Sequence, residues 1–204
     1  MSSTSGPQNV LNLNIGVLGH VDSGKTSLVK ALSTALSTAA LDKHPESRKR
    51  GITLDLGFSA FTLEDVPPQL QPEAPAAPYD AVQFTLVDCP GHASLIRTII
   101  GGAQIVDIML LVIDANKGIQ TQTAECVVIG EITTDNAIIV LNKIDTIPAD
   151  ERDDRLERVQ RRVRAQLRAS HSKLADAPMV CVAAAVGGEK VAAVGALAHG
   201  AAKG

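Results

Sequence analysis

The chain alternates short, uninterrupted apolar runs with stretches of helical spacing. Residues 13–19 ("LNIGVLG"), 108–114 ("IMLLVID"), 137–142 ("AIIVLN") and 177–183 ("APMVCVA") are runs of strand length. A strand that is apolar at successive positions is covered on both faces, the pattern of a parallel sheet held between helices. Between these runs, "SLVKALSTAL" after Lys25 and segments near Thr121 to Thr133 and Asp150 to Ser170 carry helical spacing. In the last of them Leu156, Val159, Val163 and Leu167 form one apolar stripe. Acidic residues (Asp150, Glu151, Asp153, Asp154) lead that segment and arginines from Arg155 to Arg168 follow, an order that complements the helix dipole and predicts a solvated face rather than an RNA-binding one. "ITLDLGFSAFTL" (52–63) and "AVQFTLVD" (81–88) are strand-like too and predict a hairpin across residues 64–80. Five of the chain's ten prolines fall in that connection, which predicts an extended, mobile surface loop. The whole pattern predicts an α/β fold with a mostly parallel central sheet flanked by helices.

Composition narrows the picture. At 204 residues, 45% hydrophobic and 20% charged, the chain suits one main domain with a sizeable core. A net charge of −3 with one Tyr, three Phe and no Trp gives neither the basic field nor the stacking aromatics of a self-sufficient nucleic-acid binder. The start, "MSSTSGPQNV", is not of signal-peptide type, and the apolar run from Ile105 to Ile113 is broken by Asp107, so no membrane association is expected. Cys89, Cys126 and Cys181 are odd in number and lie in apolar context, which predicts free thiols and a cytoplasmic location. Residues 1–10 are expected to be flexible. After Cys181 the pattern decays into alanine and glycine, and residues 186–204 are expected to form a weak, disordered or non-native tail.

Candidate chemistry falls at the ends of the strands. "GHVDSGKT", Gly19 to Thr26, fits G-x-x-x-x-G-K-[ST] between the first strand and the first helix. There the backbone N–H groups of Gly19, His20, Val21, Asp22, Ser23 and Gly24, continuing through Ser27 in the helix's first turn, can surround phosphate oxygens. Lys25 brings a charge to the β- and γ-phosphates, Thr26 offers its hydroxyl to Mg²⁺, and Asp88, ending "FTLVD", is placed to hold that ion through water. "NKID", Asn142 to Asp145, follows another strand. The Asp145 carboxylate can accept both N1–H and N2–H₂ of guanine, where adenine presents an acceptor, so the pattern selects GTP or GDP over adenine nucleotides. The stem of Lys143 can lie along the base, and Asn142 can tie this loop to the phosphate loop. "DCPGH", residues 88–92, admits three readings: half a metal site through Cys89 and His92, an acid/base or water-positioning His92, or an ordinary polar loop. The metal reading lacks further ligands, because Cys126 and Cys181 sit in helix and strand patterns and a pair alone does not build a zinc site.

With "GHVDSGKTSLVKALST", "RGIT", "DCPGH" and "NKID" in this order, residues 11–185 resemble the GTPase domain of the translation factors. "RGITLDLGFSAF" and "DCPGHASLIRTIIGGAQIVDIMLLVIDANKGIQTQTAECVVIG" are more similar to the eukaryotic selenocysteine-specific elongation factor family than to elongation factor Tu or initiation factor 2 gamma. The resemblance implies a Mg²⁺-dependent, P-loop type GTPase switch. Residues 37–53 become the first switch, with Thr53 sensing the γ-phosphate and completing the Mg²⁺ shell beside Thr26 and Asp88. Residues 88–104 become the second, with Gly91 approaching the γ-phosphate and His92 orienting the attacking water, gated by Val21 and Ile52. It further implies hydrolysis stimulated by the ribosome, and selenocysteinyl-tRNA as a partner through domains outside this chain, the domain itself being a monomer. The family's second guanine loop, Ser-Ala-Lys or similar, is replaced here by Ala183, Ala184 and Ala185. A backbone N–H to the base survives that change while the lysine packing is lost, which predicts reduced nucleotide affinity. The chain also ends before the family's β-barrel domains, as a fragment or truncated gene product would. Two further readings follow: a guanine-nucleotide-binding module with little hydrolysis, or the GTPase domain of another translation factor such as an initiation-factor gamma subunit.

Overall fold

The computed structural model describes residues 9–37, 57–73, 75–88 and 106–184. Its frame is a six-stranded sheet built from β1 (Val10–Gly19), β2 (Gly57–Leu63), β3 (Ala81–Asp88), β4 (Ile108–Asp114), β5 (Ala137–Asn142) and β6 (Met179–Cys181), in the order β2-β3-β1-β4-β5-β6. All neighbouring pairs are parallel except β2 and β3. The expected hairpin is therefore present, and Phe61 faces Phe84 across it with the rings stacked 5.1 Å apart. Among the described residues, α1 (Lys25–Ser37), α2 (Thr121–Thr133) and α3 (Arg152–Ala169) supply the helices.

Period-two alternation divides the strands between two cores. Met109, Leu111 and Ile113 of β4 and Ile139 and Leu141 of β5 join Cys126, Val127 and Ile129 of α2 and Val163 and Leu167 of α3. Leu110 and Val112, with Ile138 and Val140, face the other way and meet Leu28, Val29 and Leu32 of α1. This is why the central strands read as continuous apolar runs. The predicted stripe of α3 is borne out: Val163 and Leu167 are buried, and Leu156 and Val159 pack against the same core partly exposed. Its arginines include several used within the protein. Arg164 donates to the Ala175 carbonyl at 2.6 Å, Arg168 pairs with Asp176 and Arg161 with Glu157.

The connection across residues 64–80 lies at the surface, but it is less extended than its prolines suggest. It contains a turn of 3-10 helix at Pro68–Leu70. Gln71 closes the loop on itself, accepting from the Tyr79 N–H at 2.7 Å and donating to the Tyr79 carbonyl at 3.0 Å. Asn9 fastens the far end by donating to the carbonyls of Ala77 and Pro78. Proline fixes φ in turns as readily as in extended chain, and the side-chain amides decide between them here.

Cys126 and Cys181 are free thiols. Burial raises both above the ordinary thiol range. The thiolate is the reactive form. Cys126, buried between α2 and the sheet, is therefore expected to resist alkylation at neutral pH until the domain unfolds, as read by site-resolved mass spectrometry across a urea series. Fast labelling of Cys126 in native protein would contradict this packing.

Candidate nucleotide-binding site

The parallel strands end on one edge of the sheet, and the candidate residues follow them there. Gly19 closes β1, Asp88 closes β3 in register with Val17, Asp114 closes β4 and Asn142 closes β5, with Asp114 directly opposite Asn142. In an open parallel sheet this carboxyl edge is where ligands bind.

The phosphate loop turns sharply between β1 and α1. Asp22 takes a left-handed conformation at φ 61°, which Asp tolerates better than most residues. Gly24 sits at φ 90°, and a Cβ there would overlap Asn142 Nδ2. Only glycine meets both demands. A Cβ on Gly19 would overlap the Val112 carbonyl oxygen, so the loop is also pressed tightly against β4. Lys25 donates from Nζ to the carbonyls of Gly19 and His20, both at 3.0 Å, which holds its ammonium across the loop. Ser23 is buried, and its Oγ and the His20 Nδ1 have no hydrogen-bond partner among the described residues, while Thr26 and Ser27 are exposed on the first turn of α1. A narrow loop with an ammonium across it, an unsatisfied hydroxyl and a helix N-terminus fits an anionic phosphate group.

Asn142 is buried at 2% exposure and joins three loops. Its Nδ2 donates to the Ser23 carbonyl at 3.0 Å and, more weakly, to that of Gly24 at 3.5 Å. Its Oδ1 accepts from the Ala184 N–H at 3.1 Å. The predicted tie to the phosphate loop is thus present, and the same side chain fixes the alanine loop as well. Ala184 is thereby committed inside the protein, and the neighbouring Ala183 is half-buried beside it.

Sequence reasoning assigned no role to Asp114, Asn116, Thr146 or Gln122. Asp114 Oδ2 pairs with Lys143 Nζ at 3.0 Å, and its Oδ1 accepts from the Asn116 N–H at 2.9 Å. Asn116 Nδ2 donates to Thr146 Oγ1, which in turn donates to the Lys143 carbonyl, both at 2.6 Å. Lys143 adopts φ 66°, a left-handed conformation costing about 1–2 kcal/mol for such a residue. Asp145 follows in the 3-10 turn Ile144–Thr146, exposed, with no hydrogen-bond partner among the described residues. Gln122 of α2 accepts from the Val21 N–H at 3.2 Å, while the Val21 side chain is 54% exposed. The available signal for Asp114 was a carboxylate ending the strand next to the Asn-Lys pair, but adjacency of β4 and β5 is a property of the fold.

Burial pushes the Asp114 carboxyl up, yet the Asn116 N–H and the Lys143 ammonium outweigh it and hold it below the ordinary 3.8. A carboxyl lowered on folding stabilises the fold above its unfolded value and loses that contribution as pH falls through the folded one.

Thr53, Gly91, His92, Cys89, Ile52 and Ala185 lie outside the described residues, as do both switch segments apart from Ser37 and Asp88, and of Asp88 only the backbone is described.

The model of the elongation factor Tu GTP binding domain matches residues 11–199. The chain belongs to this family. Among relatives of the domain, the selenocysteine-specific elongation factor of Mus musculus is 54% identical over 178 residues, covering 87% of this chain and 29% of that protein. Its counterpart from Methanocaldococcus jannaschii is 46% identical over 152 residues, 74% of this chain and again 29% of the relative. A translation initiation factor 2 subunit gamma from Halobacterium salinarum is 36% identical over 184 residues, covering 84% and 42%. Among solved structures, apo translation elongation factor SelB from Methanococcus maripaludis superposes with a TM-score of 0.63 at 28% identity, over 94% of this chain and 33% of that one. The chain thus spans about a third or less of the selenocysteine-specific factors it resembles. Membership of the family supports GTP binding and hydrolysis by this domain.

Two outcomes follow. Gly24→Ala should abolish measurable GDP binding through the clash with Asn142, as read by titration calorimetry; retained affinity would show that the loop tolerates a Cβ. In acid, the stabilities of wild type and Asp114→Asn should converge as pH falls below about 3.8, having differed at neutral pH. A constant gap across an acid denaturation series would contradict the assigned ion pair.

Proposed function

We propose that this chain is the Mg²⁺-dependent GTPase switch of a selenocysteine-specific elongation factor, acting in the cytoplasm as a monomer whose hydrolysis is stimulated by the ribosome. The observation that carries the nucleotide part is Asn142, which binds the phosphate loop and the Asp145-bearing segment into one unit. In this reading Gly19 to Ser27 hold the phosphates and Asp145 reads the guanine edge. Ala183 offers its N–H beside the base, and Ala184 keeps that loop in place. Thr26 stands at the start of α1 and Asp88 ends β3, both on the phosphate-loop edge, and with Thr53 they would hold Mg²⁺. The metal, when bound, neutralises charge developing on the β- and γ-phosphate oxygens. Gly91 brings the second switch to the γ-phosphate, and His92 orients the attacking water. Lys25 supports charge on the same oxygens. Identity to the selenocysteine-specific factors, 54% and 46% against 36% for the initiation-factor subunit, favours this assignment over the gamma-subunit alternative. Contact with selenocysteinyl-tRNA is assigned to parts of such factors outside this domain.

Nucleotide competition tests the base pocket: wild type should prefer GTP to ATP by orders of magnitude, and Asp145→Asn should lose that preference, whereas an unchanged preference would refute the role of Asp145. Single-turnover hydrolysis with and without ribosomes tests the switch. His92→Ala should keep GTP binding and lose about 10²-fold or more of the stimulated rate. Equal loss of binding and hydrolysis would make His92 structural, and no stimulation of the wild type would leave a nucleotide-binding module.

A further inference from the structure

We propose that Asp114 is a positioning residue of the guanine pocket: its carboxylate holds Lys143, and through Asn116 and Thr146 it fixes the turn that carries Asp145. The inference rests on the guanine-nucleotide reading above and assigns it a residue outside the Asn-Lys-x-Asp motif.

The contacts form a closed ring. Asp114 Oδ2 holds the Lys143 ammonium at 3.0 Å. Asp114 Oδ1 accepts from the Asn116 backbone at 2.9 Å and from Asn116 Nδ2 at 3.4 Å. That Nδ2 reaches Thr146 Oγ1, and Thr146 returns to the Lys143 carbonyl through its hydroxyl and, at 3.1 Å, through its N–H. Residue 145 lies inside this ring by sequence. Its carboxylate has no partner among the described residues, so the ring orients the backbone of Asp145 without occupying the group that reads the base.

The same ion pair sets the path of the Lys143 side chain. Lysine is flexible, and an ammonium in water has no preferred direction. Here its end is fixed to a carboxylate whose side chain is 8% exposed, while the lysine side chain keeps 33%. Between those points the stem passes beside the phosphate loop, with Cε 3.9 Å from where a Gly24 Cβ would stand. A methylene stem held in one place can form a wall of the base slot, whereas a free one must be ordered each time nucleotide binds. The strained backbone of Lys143 points the same way, because a left-handed non-glycine residue persists where its surroundings hold it.

A double-mutant cycle on GDP affinity tests this, using wild type, Asp114→Asn, Lys143→Met and the double variant, with native folding checked by thermal denaturation. Asp114→Asn should weaken GDP about tenfold in the wild-type background and less than about twofold in the Lys143→Met background, since removing the lysine removes what the charge of Asp114 acts through, while an amide oxygen at position 114 can still accept from the Asn116 N–H. An unchanged affinity, or the same loss in both backgrounds, overturns the proposal. Asn116→Ala leaves the ion pair intact and tests the second arm: a loss of about threefold supports the ring, and no loss overturns it. Failure of the wild type to bind GDP would instead defeat the guanine-nucleotide reading itself.

Discussion

One buried side-chain amide organises the binding edge of this domain. Asn142 has polar atoms removed from water, and each must find a partner. It finds them in the Ser23 carbonyl on one side and the Ala184 N–H on the other. Each such bond adds only about 0.5–1.5 kcal/mol net, so its value to stability is modest. Its value to geometry is larger, because leaving any of these groups unpaired costs about 1–3 kcal/mol and so penalises every other arrangement of the loops. The glycine at position 24 is a consequence: the amide stands where a Cβ would have to go.

A second, charged brace lies one strand away. Asp114 and Lys143 join the ends of β4 and β5, and the pair carries Asn116 and Thr146 with it. The two braces divide the work. The neutral amide of Asn142 sets the distance between phosphate loop and base loop, while the ion pair sets how the base loop is shaped. Both stand on strands covered by helices, so the base end of the site is built on rigid elements. In the proposed reading the two switches would be residues 37–53 and 88–104, the second of which begins where β3 ends. Such segments are ordered by γ-phosphate and Mg²⁺ contacts and released on hydrolysis.

Much of this was legible in sequence because it is local. Leu110 to Ile113 announce a doubly covered strand without reference to any neighbour, and Gly19 to Thr26 carry their own chemistry in their spacing. Asn142 could be assigned its tie for the same reason, since its motif is short and follows a strand. Asp114 could not. A carboxylate ending an apolar run is indistinguishable from a turn residue until parallel pairing sets it opposite Asn142. Ala184 is similar, for the sequence offers the base a backbone N–H of the alanine loop without saying which, and only the fold commits that of Ala184 to the amide of a residue 42 positions away. The loop across residues 64–80 differed because Gln71 and Asn9 supply bonds that proline content does not reveal.

The central claim is that the ends of β1, β5 and β6 form one guanine-nucleotide site. Backbone amide NMR of the isotope-labelled domain, titrated with Mg²⁺·GDP and separately with Mg²⁺·ADP, tests it most directly. GDP should shift the amides of Gly24 to Ser27, Lys143 to Thr146 and Ala183 to Ala184 together, with one common affinity, and ADP should leave the second and third groups unmoved. Shifts confined to one loop, or the same shifts with both nucleotides, would contradict the account.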